Sequence, residues 1–252
     1  MAAPTRITSR RAGVALFLLL AGATARADVS LPVDYFPLVR GSTWTYTTGM
    51  PQGEILVDAL NLDRTAGRDP RAHPHPHDHD GHEPGHDDAR TSEPETHVHL
   101  VLAYSQISRE APTRPVRLQR EWLRRDAAGN LLCGLRTLNQ EEVFLDPPQL
   151  VLPADPKARK TWTWTGTLGY DTATVTSVVE AEETVRVPAG SFETLRVRIE
   201  TKTLRSTGRA IRWYAAGVGL VKEEAEIAVK GGDTVRTSFS LASYRIGPPP
   251  AD

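Results

Sequence analysis

Short runs of β-branched and aromatic residues, each closed by a turn residue, constrain this fold more than any other feature of the chain. Between Glu193 and Leu204, the apolar Leu195, Val197 and Ile199 alternate with Arg196, Arg198 and Glu200. A period of two is that of a strand with one buried face, because successive side chains leave opposite sides of the backbone. Thr161–Gly166, Thr172–Glu183, Ile211–Tyr214, Leu220–Val229 and Thr234–Tyr244 continue the series, with turn signals at Ala189-Gly190, Gly217, Gly219 and Gly231-Gly232. Earlier strands are expected at Ser42–Thr48, Glu54–Ala59, Val98–Tyr104, Val116–Leu123 and Leu131–Leu135, with Ala127–Asn130 as a turn. The stretch from Val116 to Arg125 also fits a short helix. No segment carries a sustained helical stripe. The expectation is an all-β chain, an antiparallel sheet-rich sandwich or partial barrel.

The first residues bear on the compartment. Arg6, Arg10 and Arg11 precede a short apolar core at Leu16–Leu20, and Ala25-Arg26-Ala27 supplies small residues around a cleavage point. This is the pattern of a secretory signal, here residues 1–27, and it predicts a periplasmic or secreted protein. Removing four Arg and no acid moves the formal charge from −1 to −5. An acidic balance argues against nucleic acid as a partner. No later apolar run is long enough for a transmembrane helix. Cys133 is the only cysteine, so stability must come from a core of packed side chains rather than from disulfides. A single β domain is expected over 28–246, with a tail at 247–252.

All eight histidines fall between His73 and His99: His73, His75, His77, His79, His82, His86, His97 and His99. The surrounding 64–95 stretch is rich in Pro, Gly and Asp and nearly free of large apolar residues. It is expected as an inserted disordered loop, since it buries too little surface to offset its ordering entropy. Neutral imidazole is a ligand for Zn, Ni and Cu(II), and these eight residues are the candidate metal ligands. If a strand begins near Thr96, His97 and His99 project from one face as a semi-rigid pair.

Four further stretches carry a resemblance. Asp34-Tyr35-Phe36-Pro37-Leu38 is followed by Gly41-Ser42-Thr43-Trp44-Thr45-Tyr46. Later come Val187-Pro188-Ala189-Gly190-Ser191-Phe192-Glu193-Thr194-Leu195-Arg196-Val197 and Arg212-Trp213-Tyr214-Ala215-Ala216-Gly217-Val218-Gly219-Leu220-Val221-Lys222. Together they resemble an uncharacterised family of exported bacterial proteins, a domain of unknown function. The resemblance implies an antiparallel β domain in the envelope and no catalytic residue. The histidine stretch is not part of that pattern. Read from the residues alone, Trp44, Trp164 and Trp213 fill the interior with their indole N–H groups satisfied locally.

No nucleophile elbow, P-loop or dinucleotide fingerprint is present in the sequence. Adjacent carboxylates such as Glu182-Glu183 and Glu223-Glu224 face opposite sides of a strand and are expected on solvated edges. The leading function is therefore non-catalytic: an exported β protein whose His-rich loop binds or buffers divalent Zn, Ni or Cu(II). The alternative is an envelope-associated β module that binds a lipid, glycan or protein. A concave apolar face would favour that alternative, and a closed, filled core would favour the first.

Overall fold

The computed structural model describes residues 33–48, 54–61, 100–108, 113–138, 140–169 and 171–248. The signal segment, the whole 64–95 insert and all eight histidines lie outside the described residues. Twelve strands run in order: β1 (Thr43–Thr48), β2 (Glu54–Asn61), β3 (Leu100–Ile107), β4 (Val116–Arg125), β5 (Leu131–Leu138) and β6 (Glu141–Leu152). They continue as β7 (Thr161–Leu168), β8 (Asp171–Val187), β9 (Gly190–Thr203), β10 (Ser206–Ala215), β11 (Gly219–Val229) and β12 (Thr234–Arg245).

Each strand pairs antiparallel with its neighbours in sequence, and β1 closes the sheet by pairing with both β2 and β12. The architecture is all-β and antiparallel as the alternation requires, and the barrel is closed rather than partial. Closure satisfies the outer backbone groups of β1 and β12, which an open sheet would leave as exposed edges. The stretch that also fitted a helix is β4. Its apolar spacing misleads because a bulge falls between Trp122 and Leu123, and both side chains are buried.

β6 carries Pro147 and Pro148 in its middle, which is why no strand is expected there from sequence. The prolines coincide with a gap in the ladder. In the ladder β6 pairs with β7 only at Leu145–Leu168 and Asp146–Thr167, and its register against β5 shifts between Cys133 and Leu135. Gly166 lets β7 approach here, since a Cβ would lie 2.6 Å from the Asp146 carbonyl oxygen.

The core follows the period-two pattern. Trp162 and Trp164 of β7, Ala173 and Val175 of β8, Leu195 and Val197 of β9 and Val221 of β11 are buried in one cluster. Each fully buried aliphatic side chain of this kind contributes about 1.5–3 kcal/mol. Trp44 donates its indole N–H to the Val218 carbonyl at 2.7 Å, Trp164 to Pro147 O at 2.8 Å and Trp213 to Glu183 Oε1 at 2.6 Å. All three tryptophans are buried with local partners, but only Trp44 and Trp164 fill the interior as expected; Trp213 is buried on the outer face beneath Arg196 and Lys222.

The stretches behind the family resemblance meet at one end of the barrel. Phe36 lies 6.4 Å from the Trp44 ring and 6.3 Å from Tyr214. Gly217, at φ 69°, donates its N–H to Asp34 O at 2.7 Å. The β8–β9 turn folds onto β12, with Ala189 N–H on Leu241 O at 2.9 Å. Gly247, the first residue of the expected tail, is buried and donates to Ser42 Oγ at 2.9 Å.

Candidate functional site

None of the eight candidate metal ligands is among the described residues, and those residues hold no cluster of three or more His, Cys, Asp or Glu fit for a metal. The described concavity with room for a ligand is a groove of about 1140 Å³ on β8–β12. It lies on the face opposite Val175 and Val197. Alternation therefore sends the residues between the core positions into it: Thr174 and Thr176 of β8, Glu200 and Lys202 of β9, and Arg209 and Ile211 of β10.

The register arranges them in rows. Thr176 faces Glu200, Glu200 faces Arg209, Arg209 faces Glu226, and Glu226 faces Arg236. Opposite charges thus alternate across the four strands β9–β12, an arrangement that favours this register over slipped ones. Arg236 Nε sits 2.8 Å from Glu226 Oε2, Lys222 Nζ 2.8 Å from Glu224 Oε1, and Arg198 pairs with Glu200. Being solvent-exposed, each pair contributes about 0–1 kcal/mol. Trp213 follows Ile211 on the same face of β10. Lys222 Nζ lies 4.6 Å from its ring centroid and Arg196 5.9 Å, so the indole is covered by cations and their stems.

A second polar constellation lies inside the barrel. Arg212 and Glu223 face each other across β10 and β11, with Nε 2.5 Å from Oε2. Burial works against the Arg212 cation, yet Glu223, Tyr214 and Glu121 together outweigh it and hold the pKa well above the usual value. Glu121 of β4 accepts from Tyr104 Oη at 3.0 Å and from Gln119 Nε2 at 3.1 Å. Arg136 Nη2 is 3.7 Å from Glu121 Oε1 and donates to Gln149 Oε1 at 2.9 Å. Burial raises the Tyr46, Tyr104 and Tyr214 phenols, with Glu223 adding to the effect at Tyr46 and Glu121 at Tyr104. The Cys133 thiol is buried as expected and is pushed up to about 11, first by burial and then by Glu121.

Glu223 corrects one expectation. It and Glu224 do face opposite sides, but Glu223 is buried at 9% exposure rather than on a solvated edge. The available signal was its spacing: Val221, Glu223 and Ala225 share a face, and Val221 is core. Beside this network lies a cavity of about 40 Å³ lined by Phe36, Trp44, Tyr46, Val57, Leu102 and Tyr104, among others. That is room for roughly two or three waters.

Among solved structures, the chain is similar to a proposed lipoprotein of Parabacteroides distasonis ATCC 8503. Identity is 11% over 84% of this chain and 99% of that one, with a TM-score of 0.41. It is also similar to a proposed exported protein with a YmcC-like fold from Bacteroides fragilis NCTC 9343. There identity is 13% with the same coverages, and the TM-score is 0.34. At TM-scores below 0.5 neither likeness bears on function. No curated protein matches the chain. Residues 169–227 match the family described as DUF3108-like. That stretch runs from the turn before β8 into β11 and carries most of the groove floor and the Arg212–Glu223 pair. Over these residues the chain is similar to an uncharacterised domain family, which supports the resemblance drawn from the sequence.

Proposed function

We propose that this chain is an exported, non-catalytic protein of the bacterial envelope that works by binding, and that the groove on β8–β12 receives a glycan chain. The groove carries the reading. Its floor holds Lys202, Arg209 and Arg236 with Glu200, Glu224 and Glu226, plus threonine hydroxyls. Equal numbers of each sign select neither anion nor cation. They offer alternating donors and acceptors, which a polyhydroxylated chain can satisfy along its length. Ligand sites run to roughly 300–1,000 Å³, so the volume suits an oligosaccharide. Export is supported by the signal pattern in residues 1–27, which points to the periplasm or the outside of the cell. A non-catalytic role is supported by the internal acids. Glu223 is locked to Arg212, Glu121 is held by Tyr104 and Gln119, and the raised Cys133 stays a thiol at neutral pH.

Calorimetric titration of the mature protein with soluble oligosaccharides tests the reading. Binding that weakens about tenfold in Arg209→Ala is expected, because that side chain faces Glu200 and Glu226 at the centre of the floor. Undiminished binding in Arg209→Ala, or none across the panel, would sink it.

The eight clustered histidines favour a second, compatible activity: binding of divalent Zn, Ni or Cu(II) by His73, His75, His77, His79, His82, His86, His97 and His99. Only neutral imidazole coordinates metal, and unperturbed His titrates near ~6.5. Metal should be held at pH 7.5 and released below about pH 6. Replacing His97 and His99 together should weaken the tightest site more than replacing His73 and His75. Equal affinities for the two double variants would remove the strand-anchored pair, and retention at acidic pH would exclude histidine as the main ligand.

A further inference from the structure

We propose that the paired tips of the β9–β10 and β11–β12 hairpins dock the protein onto an anionic lipid bilayer. Four large aliphatic side chains are exposed there: Leu204 at 74%, Val235 at 53%, Ile227 at 48% and Val229 at 46%. Ile227 and Val235 are direct cross-strand partners, and Val229 faces Ser206 beside the Leu204 turn. The two turns are joined, with Lys230 N–H donating to Arg205 O at 2.8 Å. The four side chains therefore share one end of the sheet. Ile227, Val229 and Val235 lie on the face opposite the charged rows, and Leu204 sits at the apex.

The charges around the patch name the occupant. Lys202, Arg205, Arg209, Lys230 and Arg236 stand at these tips against Glu200, Glu226, Asp233 and the Asp171 that Arg205 approaches at 3.8 Å, five cations to four acids. The tip is net positive in a chain whose formal charge is −1. Arg205 is 82% exposed, and Arg236 is 74% exposed while paired with Glu226 at 2.8 Å. Aliphatic residues on one face with cations at the apex and on the other face is the pattern of an interfacial membrane contact: hydrocarbon enters the headgroup boundary while cations meet anionic lipid. A second copy of the chain fits poorly, because two such tips would bring like charges together. A protein partner fits poorly as well, since the patch lacks the Trp, Tyr and buried Arg that anchor protein interfaces.

Co-sedimentation of the mature protein with vesicles tests the proposal. Binding is expected to phosphatidylcholine vesicles containing phosphatidylglycerol, to weaken with added salt, and to be at least about tenfold poorer on phosphatidylcholine alone. The variant Leu204→Ser/Ile227→Thr/Val235→Thr should lose at least about tenfold in binding, as should Arg205→Glu/Lys230→Glu. Unchanged denaturation midpoints would show that both remain folded. Oligosaccharide binding should persist in the aliphatic variant, whose replaced strand residues lie on the far face from the groove. Equal binding to neutral vesicles, wild-type binding by either variant, or a dimer that the aliphatic variant dissociates would overturn the assignment.

Discussion

At the scale of the residue, the half-buried Arg212–Glu223 pair shows how the barrel treats charge, since the Glu223 side chain is 12% exposed and that of Arg212 34%. Removing the carboxylate leaves a partly solvated cation, so Glu223→Gln should cost about 1–3 kcal/mol. Arg212→Met combined with Glu223→Leu should recover most of it, because two desolvated charges are replaced by apolar volume. Urea midpoints of the three variants decide between a structural pair and two independent residues. Trp44→Ala should also cost about 3–5 kcal/mol, through loss of a filled site and of the bond to Val218. Asp126 gives the pH-dependent case. Burial works to raise its pKa, but the Asn130 side chain and the Asn130 and Ala128 N–H groups outweigh it, and the net shift is downward. A lowered native pKa means its stabilising effect is complete above the unfolded carboxylate value of about 3.9 and is lost as pH falls through the native value. The side chain is largely solvated, so Asp126→Ala should cost about 1 kcal/mol or less at pH 7. Thermal unfolding should show that gap closing below about pH 4, and a gap that persists in acid would exclude the carboxylate as its source.

Elements were legible where the alternation was unbroken, and obscure where the ladder was. β9 reads directly from Leu195, Val197 and Ile199. β4 and β10 each carry a bulge that buries two consecutive residues, Trp122-Leu123 and Trp213-Tyr214, so a strict period of two fails there. β6 was missed because Pro147 and Pro148 argue against a strand unless the adjoining ladder is already absent. The β2–β3 pairing supports a prediction at this scale. Asn61 and Leu100 are direct partners, so the chain leaves and re-enters the sheet at adjacent positions. Replacing residues 62–99 with a four-residue turn should preserve cooperative unfolding. The shorter closure should leave stability unchanged or raise it by up to about 2 kcal/mol. Loss of the cooperative transition would show that the segment is needed for the barrel.

For the whole molecule, the face of the sheet matters more than any motif. One face builds the core, the other builds the groove, and at the hairpin tips the first face emerges as an aliphatic patch. The sequence by itself determined the strand period, the glycine turns, the buried tryptophans and the clustering of histidines, because each depends on residues close together in the chain. Tertiary structure alone decided that the sheet closes, since that rests on partners such as Thr43 and Arg245 at opposite ends of the chain. It also decided that Glu223 is paired and buried, and that Glu200, Arg209, Glu226 and Arg236 form one row. Such rows depend on register, and register is fixed by the summed packing of all strands around the barrel rather than by any one of them.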